Sequence, residues 1–352
     1  MRIGIIGVGN VGHALGDYLM QEHKIIGIDD LDIQAAFPVY KDYDELRSAD
    51  AVFICLPSPF DEETNSLDNS LIENAVREIV KVNMYAPIYI KSTVNIGFTR
   101  KVANDLRIDR LYYTPEFLRQ SSAYEDIRNP DRSVIGTLKD DPEDLHVVTY
   151  LSLFNTKKRF VMNYEEAEAV KLFSNTYLAM RIAFFNELDT YSEVNNLDSN
   201  KIIKAVCADK RIGDYYNKPS YGYGGYCLPK DSMELMNEYN APQKLIEATL
   251  ASNEVRKEHV ANSILDKIKG DDDALVGIYG IPNKYSPLID VINKLKAHKV
   301  NMLVYSPNRD VKEFNGIKVT DKLSVFIVDT SVILSDQELP EEFKNLEKVY
   351  LK

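Results

Sequence analysis

The sequence predicts an α/β protein: a doubly wound parallel sheet first, a central domain on one long helix, and a smaller α/β domain last. Three observations predict it. Short apolar runs alternate with helical patterns over the first half of the chain, the signature of strands joined by crossover helices. The stretch 165–196 contains neither Gly nor Pro and is rich in helix formers. Alternation then resumes after the polar break Gly270-Asp-Asp-Asp273. The expected divisions are 1–163, 164–270 and 271–352.

In chain order, the expected strands of the first domain are Arg2–Ile6, Lys24–Ile28, Ala51–Cys55, Pro87–Lys91 and Arg110–Tyr113. Helical patterns lie near Asn10–Gln21, Asp68–Val82 and Thr99–Leu106. A helix over Glu165–Asn196 would span about 45 Å at 1.5 Å per residue. That exceeds a simple crossover and reads as a spine with a dimer surface. Further helices are expected near Ser199–Ala208, Lys230–Glu238 and Gln243–Lys269. The last domain should place strands at Ala274–Ile278, Val300–Tyr305, Ser331–Leu334 and Lys348–Leu351, with a helix near Pro287–Ala297. The two α/β ends could be structural echoes of each other.

Composition narrows the function. The chain has 352 residues and a net charge of −12, which argues against nucleic-acid binding, since that needs a basic face. No apolar run reaches the roughly 18 residues of a membrane span, and the chain opens directly on a strand rather than a signal peptide. The three cysteines, Cys55, Cys207 and Cys227, make neither a disulfide framework nor metal-ligand spacing. No metal is expected, and a reducing cytoplasm fits best.

Gly7-Val-Gly-Asn-Val-Gly12 follows the first expected strand and opens the first helix. This is the dinucleotide fingerprint of a Rossmann-like domain. Gly7 permits the tight turn, Gly9 the approach of a pyrophosphate, and Gly12 close helix–strand packing. The backbone of Val8, Asn10 and Val11 completes the cradle at a helix N-terminus. Asp29 ends the second strand, placed to bond the ribose hydroxyls, so NAD is expected rather than NADP. Asp30 could share that role or be a solvated turn acid.

Tyr221-Gly-Tyr-Gly-Gly-Tyr-Cys-Leu-Pro-Lys-Asp231 is the most informative stretch. Pro229 suits the first turn of a helix, so Cys227 should sit just before it, where N–H groups favour a thiolate. A glycine-rich loop, a nucleophile and the adjacent acid Asp231 point to covalent catalysis on a carbonyl. Cys55, in an apolar strand, and Cys207, on a helix, read as structural.

These residues and several further runs carry a resemblance. The runs are Lys91-Ser-Thr-Val94, Pro115-Glu-Phe-Leu-Arg119, Asn129-Pro-Asp-Arg132, 168–179 (EAVKLFSNTYLA), Phe185-Asn-Glu187 and Gly222–Asp231. They make the chain similar to the UDP-glucose/GDP-mannose dehydrogenase family, most closely its bacterial UDP-glucose-oxidising branch. The likeness runs from the start to about Leu265, and the C-terminal part resembles the family only in outline.

The resemblance implies oxidation of a nucleotide sugar's primary alcohol to a carboxylate with two NAD per sugar, UDP-glucose giving UDP-glucuronate for acidic polysaccharide. Another nucleotide sugar, such as UDP-N-acetylmannosamine or GDP-mannose, is the alternative substrate. A weak nucleotide-sugar-binding homologue and a two-electron hydroxy-acid dehydrogenase are alternative functions. Chemistry explains the cysteine: an aldehyde gives up hydride only after a nucleophile adds. Cys227 would form a thiohemiacetal, then a thioester that water hydrolyses.

Lys171 and Asn175 share one face of the long helix, where an ammonium and an amide would donate to an oxyanion. Asp231, with Thr93 beside it, would orient a water, and Glu116 would be the general base of thioester hydrolysis. The bland alternatives are a solvated charge at Lys171, a strand-end cap at Thr93 and a loop-anchoring salt bridge at Glu116. Pro57, Ser92, Thr93 and Lys230 join the turn as cofactor residues. The implied substrate residues are Phe117, Leu118 and Arg119, with Lys171 and Asn175, then Tyr216 and Asn217. Tyr221, Gly222, Tyr223, Gly224 and Gly225 should meet sugar and diphosphate. Arg256 would serve across a homodimer or be a solvated helix charge, and Lys284 would contact the diphosphate.

Four departures from the family pattern stand out. The stretch from Asp29 to Asp50 is short. Gln120-Ser121 replaces a common Glu-Gly. The run 280–287 (GIPNKYSP) keeps Lys284 but lacks the family's arginine. Asn253-Glu254 stands where close relatives often have Asn-Arg.

Overall fold

Apolar runs become strands where the sequence expects them, and in the first half each run is buried almost throughout. The computed structural model describes residues 1–119, 122–139, 141–343, 346 and 349–351. It opens with β1 (Arg2–Ile6), α1 (Asn10–Leu19), β2 (Lys24–Ile28), β3 (Val39–Tyr40) and β4 (Ala51–Ile54). A small hairpin follows, β5 (Phe60–Asp61) with β6 (Ser66–Leu67), then α2 (Ser70–Val82), β7 (Ile88–Ile90), α3 (Phe98–Leu106) and β8 (Leu111–Tyr113). The stretch 114–163, which the sequence reading leaves without elements, holds α4 (Ala123–Arg128), β9 (Ser133–Thr137), α5 (Leu145–Ser152) and β10 (Arg159–Asn163).

Among the described residues these strands, apart from the β5–β6 hairpin, form one sheet in the order β10-β9-β8-β7-β4-β1-β2-β3. The six strands from β8 to β3 are parallel. Their order reverses between β1 and β4, the position where doubly wound sheets take ligands at the strand C-termini. The parallel sheet is therefore as expected, with one refinement: β9 meets β8 antiparallel, and β10 adds parallel to β9.

Alternating side chains fill the two faces. Ile6, Ile28, Ile54, Ile90 and Tyr113 pack with α2 and α3 residues on one side. Ile3, Ile5, Phe53, Tyr89 and Tyr112 pack with α1 and α5 residues on the other. The short Asp29–Asp50 segment holds only β3 and a six-residue 3-10 turn, Tyr43–Ser48.

The predicted spine is α6 (Tyr164–Val194), 31 residues long. After it come α7 (Ser199–Cys207), α8 (Cys227–Glu238) and α9 (Leu245–Lys267). Cys227 is thus the first residue of α8 rather than a loop residue before it. The last region holds β11 (Leu275–Tyr279), α10 (Pro287–Ala297), β12 (Asn301–Tyr305), β13 (Glu313–Phe314), β14 (Ile317–Thr320), α11 (Leu323–Asp329), β15 (Val332–Ser335) and β16 (Val349–Leu351). Of the strand expected at Lys348–Leu351, Lys348 lies outside the described residues.

The sheet order there is β13-β14-β12-β11-β15-β16, parallel except for β13. From β14 to β16 this repeats the order of β3-β2-β1-β4-β7, so the two α/β ends do share a topology. By contacts the chain separates into two units. One is Met1–Ser174 with Met233–Asn240, the other Asn175–Ser232 with Ala241–Lys352, so α6 and α8 each contribute residues to both.

Candidate active site

The sequence-predicted residues fall into two groups, one in each unit. In the first unit the glycine turn is built as the fingerprint requires. Gly7 has φ +84°, and its N–H donates to the Ile28 carbonyl at 2.9 Å. A Cβ on Gly12 would lie 2.0 Å from the Gly7 carbonyl oxygen, so only glycine lets α1 start this close to β1. A Cβ on Gly9 would meet nothing within 4 Å. Gly9 is also the N-cap of α1, with no side-chain cap and no acid in the first turn. The open N-terminus, exposed at Gly9 and Asn10, is what a pyrophosphate needs.

Asp29 accepts the Val8 N–H at 2.7 Å and the Leu31 N–H at 2.9 Å, which pins its carboxylate beside the turn. Val8 is buried, Val11 and Asp29 are partly exposed, and Asp30 is exposed. These residues fit a dinucleotide.

At the C-terminal ends of β4 and β7, Pro57 is exposed and Ser92 donates to the Leu56 carbonyl at 2.6 Å. Thr93 follows in the same loop, 9% exposed. Beyond β8, Glu116 is held at three atoms. Lys91 Nζ lies 3.0 Å from its Oε2, the Phe117 N–H donates to its Oε1 at 2.9 Å, and Lys171 Nζ donates to its carbonyl oxygen at 2.5 Å. Lys171 is 7% exposed, so it is not a solvated charge on the spine.

The Arg132 guanidinium sits 4.0 Å above the Phe117 ring. Leu118 packs against the sheet, and Arg119 forms an ion pair with Asp126 at 2.6 Å. Gln120 and Ser121 lie outside the described residues. Cys55, just past β4, has its thiol pushed up to about 12 by burial, which suits a structural role.

In the second unit the centre is Asp231, fully buried. Its Oδ2 accepts Asn175 Nδ2 at 2.6 Å, and its Oδ1 accepts Lys230 Nζ at 2.7 Å. Lys171 and Asn175, one turn apart on α6, therefore each have a protein partner of their own. Cys227 is exposed and stands one turn before Asp231 on α8. Pro229 lies in that first turn.

The glycine loop is fixed by packing. Gly222 and Gly225 have φ +154° and +78°, values that favour glycine. Asn253 clamps the loop, accepting the Tyr223 N–H at 2.8 Å and donating to the Tyr223 carbonyl at 3.1 Å. The Gly225 N–H donates to the Tyr285 carbonyl at 3.0 Å, and a Cβ on Gly224 would lie 2.8 Å from that oxygen. This draws the 283–287 turn, with exposed Lys284, onto the glycine loop. Tyr221 and Tyr223 are buried, and the Tyr221 hydroxyl accepts the Ser335 N–H at 3.1 Å.

Tyr216 is exposed, at φ +48°. Asn217 is buried and donates to Asp214 at 2.7 Å and to Cys207 Sγ at 3.0 Å. Arg256 is 2% exposed, so it is not a solvated charge. Its guanidinium bonds Asp189 at 2.7 Å, the Ser220 carbonyl at 2.9 Å and Thr190 Oγ1 at 2.7 Å. Sequence reasoning assigned no role to Lys91 or Asn253. Each lies in a run it quoted, but only the fold shows which backbone or carboxylate each one holds.

A model of the UDP-glucose/GDP-mannose dehydrogenase family's NAD binding domain matches residues 33–153, and one of its central domain matches residues 165–255. The UDP-glucose 6-dehydrogenase of Campylobacter jejuni is 40% identical over 305 residues, covering 82% of this chain and 76% of that protein. The chain belongs to the UDP-glucose/GDP-mannose dehydrogenase family. The Streptococcus pneumoniae UDP-glucose 6-dehydrogenase is 34% identical over 100% of this chain and 98% of its own. A solved UDP-glucose dehydrogenase from Pyrobaculum islandicum shares the fold, with TM-score 0.84 over 98% of this chain and 91% of that one at 23% identity.

Membership makes this an NAD-dependent nucleotide-sugar dehydrogenase, and the family's NAD is the dinucleotide that the Gly7–Gly12 turn and Asp29 fit. Among the described residues, no helix is long and apolar enough to cross a membrane.

Proposed function

We propose that this chain oxidises UDP-glucose to UDP-glucuronate through a covalent Cys227 intermediate. One observation carries the reading: an exposed cysteine opens α8, one turn before a fully buried aspartate that Lys230 and Asn175 hold. The two close bacterial relatives, both UDP-glucose 6-dehydrogenases, support the choice of sugar.

When bound, NAD would supply the hydride acceptor for both oxidations, of the alcohol and at the aldehyde level. Everything else falls to this chain. The Gly7–Gly12 backbone and Asp29 would hold the cofactor, and Pro57, Ser92, Thr93 and Lys230 are assigned to it with them. Lys171 and Asn175 stabilise negative charge on the reacting oxygen. The Cys227 thiolate adds to the aldehyde carbon, forming a C–S bond and leaving a thiohemiacetal. Loss of hydride from that carbon gives a thioester. Glu116 then takes a proton from water as the water's oxygen attacks, and the C–S bond breaks to return the thiolate. One alcohol, two NAD and one water become one carboxylate, two NADH and three protons.

The Tyr221–Gly225 loop, Phe117, Leu118, Arg119, Tyr216, Asn217 and Lys284 hold the nucleotide sugar. Arg256 acts by bracing the loop at Ser220. We infer domains at 1–163, 164–270 and 271–352, a homodimer paired through the exposed aromatic residues of α6, and a cytoplasmic location.

The test is NADH yield per UDP-glucose for wild type and Cys227→Ser. Two NADH are expected for wild type. The serine variant should lose turnover by a factor on the order of 10³ or more and hold its intermediate. One NADH, insensitive to Cys227, would sink the covalent route. NADH from UDP-N-acetylmannosamine or GDP-mannose alone would reassign the sugar.

A further inference from the structure

Lys91 follows β7 and has nowhere to send its charge but inward. Its side chain is 3% exposed. The ammonium lies 3.0 Å from Glu116 Oε2, 3.3 Å from the Thr114 carbonyl, and 5.8 and 5.5 Å from the ring centres of Tyr150 and Phe154. A buried lysine is tolerated only when it is paired. Here burial alone would push its pKa down, while the Glu116 carboxylate and the Tyr150 hydroxyl together carry it above the ordinary lysine value. It therefore stays charged.

Glu116 is the opposite case. Its side chain is 18% exposed, so it keeps some access to solvent while its Oε2 faces Lys91. We propose that Lys91 is a positioning residue for the reaction: from behind, it fixes the direction of the Glu116 carboxylate and supplies the cation that carboxylate faces while water attacks the thioester. The inference rests on the reading of Glu116 as that step's base.

A base works only while deprotonated. A largely buried carboxylate that loses its cation rises in pKa. The other groups facing the pair are Cys55 after β4, Tyr150 on α5 and Lys171 on α6. The Cys55 thiol is pushed up to about 12, and burial raises the Tyr150 hydroxyl above its ordinary value. Lys171 meets the Glu116 carbonyl, not its carboxylate. Removing the Lys91 charge should therefore be felt chiefly at Glu116. A base whose neighbouring cation is removed needs a higher pH to work, so the acid limb of turnover moves up.

The experiment compares wild type, Lys91→Met, Lys91→Arg and Glu116→Gln in the full-length enzyme with NAD and UDP-glucose. It reads the pH profile of kcat and the mass of the Cys227 adduct during turnover. Lys91→Met should shift the acid limb upward by about one pH unit or more, a tenfold loss per unit below the limb, and accumulate adduct there. Lys91→Arg should stay near wild type. If Lys91→Met does not fold, Lys91→Gln, which keeps a donor without the charge, carries the same expectation.

An acid limb left in place, with kcat lowered equally at every pH, would overturn the proposal and leave Lys91 structural. Glu116→Gln should accumulate adduct at all pH values. If it accumulates none, the base assignment itself falls, and the role of Lys91 with it.

Discussion

The first strands of the two α/β ends invite comparison, because they are built alike and lead into different helix termini. β1 ends just before Gly7 at φ +84°, and β11 just before Gly280 at φ +80°. Each glycine N–H donates to the last residue of the neighbouring strand, Ile28 at 2.9 Å and Tyr305 at 3.0 Å. Both glycines are needed for the same backbone reason. Then they part. After Gly7 the helix starts at Asn10, with Gly9 as its bare N-cap and no acid in the first turn. After Gly280 the chain runs on to Pro287. There the Ser286 hydroxyl caps α10 by accepting the Leu288 N–H, and Asp290 lies in the first turn. One helix terminus is open to an anion, and the other is already satisfied by the chain itself. Equal topology therefore does not give an equal helix terminus, because the turn chemistry decides it.

The largest effect should come from closing the first turn. Gly12→Ala would set a methyl 2.0 Å from backbone, which no side-chain rotation relieves. We expect a loss of about 3 kcal/mol in chemical denaturation, together with loss of NAD binding. A variant as stable as wild type would break the comparison at its root.

Gly9→Ala sharpens it. Gly9 has φ −76°, which alanine adopts freely, and its Cβ would meet nothing. Stability should stay within about 0.5 kcal/mol. NAD affinity, measured by calorimetry, should weaken about tenfold, or roughly 1.4 kcal/mol. An unchanged Kd would move the phosphates away from this turn.

The smallest effect belongs to the other end. Ser286→Ala removes a cap worth about 1 kcal/mol. Its melting temperature should fall while its NAD affinity does not. A parallel loss of NAD affinity would show that the second terminus is not the idle one.

Much of this architecture is legible in the chain. β1 and β2 are continuous apolar runs, and α6 is a stretch without breakers, so local pattern suffices for both. The region 114–163 is not legible. β10 is half exposed and polar-edged, with burial pattern eeiii. β9 is a five-residue mix of Ser, Val, Ile, Gly and Thr, buried only because it joins a sheet formed elsewhere. The two-residue β3 exists only by pairing with β2.

The site shows the same split. Residue types and local spacing pick out Gly7, Gly9, Gly12, Asp29, Cys227 and Asp231. They do not reveal that Lys91, Lys171, Lys230 and Arg256 are all nearly buried, since nothing local distinguishes a buried lysine from a solvated one.

The sequence by itself determined the turns and the place of Cys227 at a helix start, because a positive φ, a bare helix terminus and a proline in a first turn are properties of a few adjacent residues. Only the tertiary structure decided the partners. Asn175 meets Asp231 across 56 residues, and Lys91 meets Glu116 because β7 and β8 pair in register. A buried charge must find its counter-ion, and which one it finds depends on where the sheet and helices bring distant residues together.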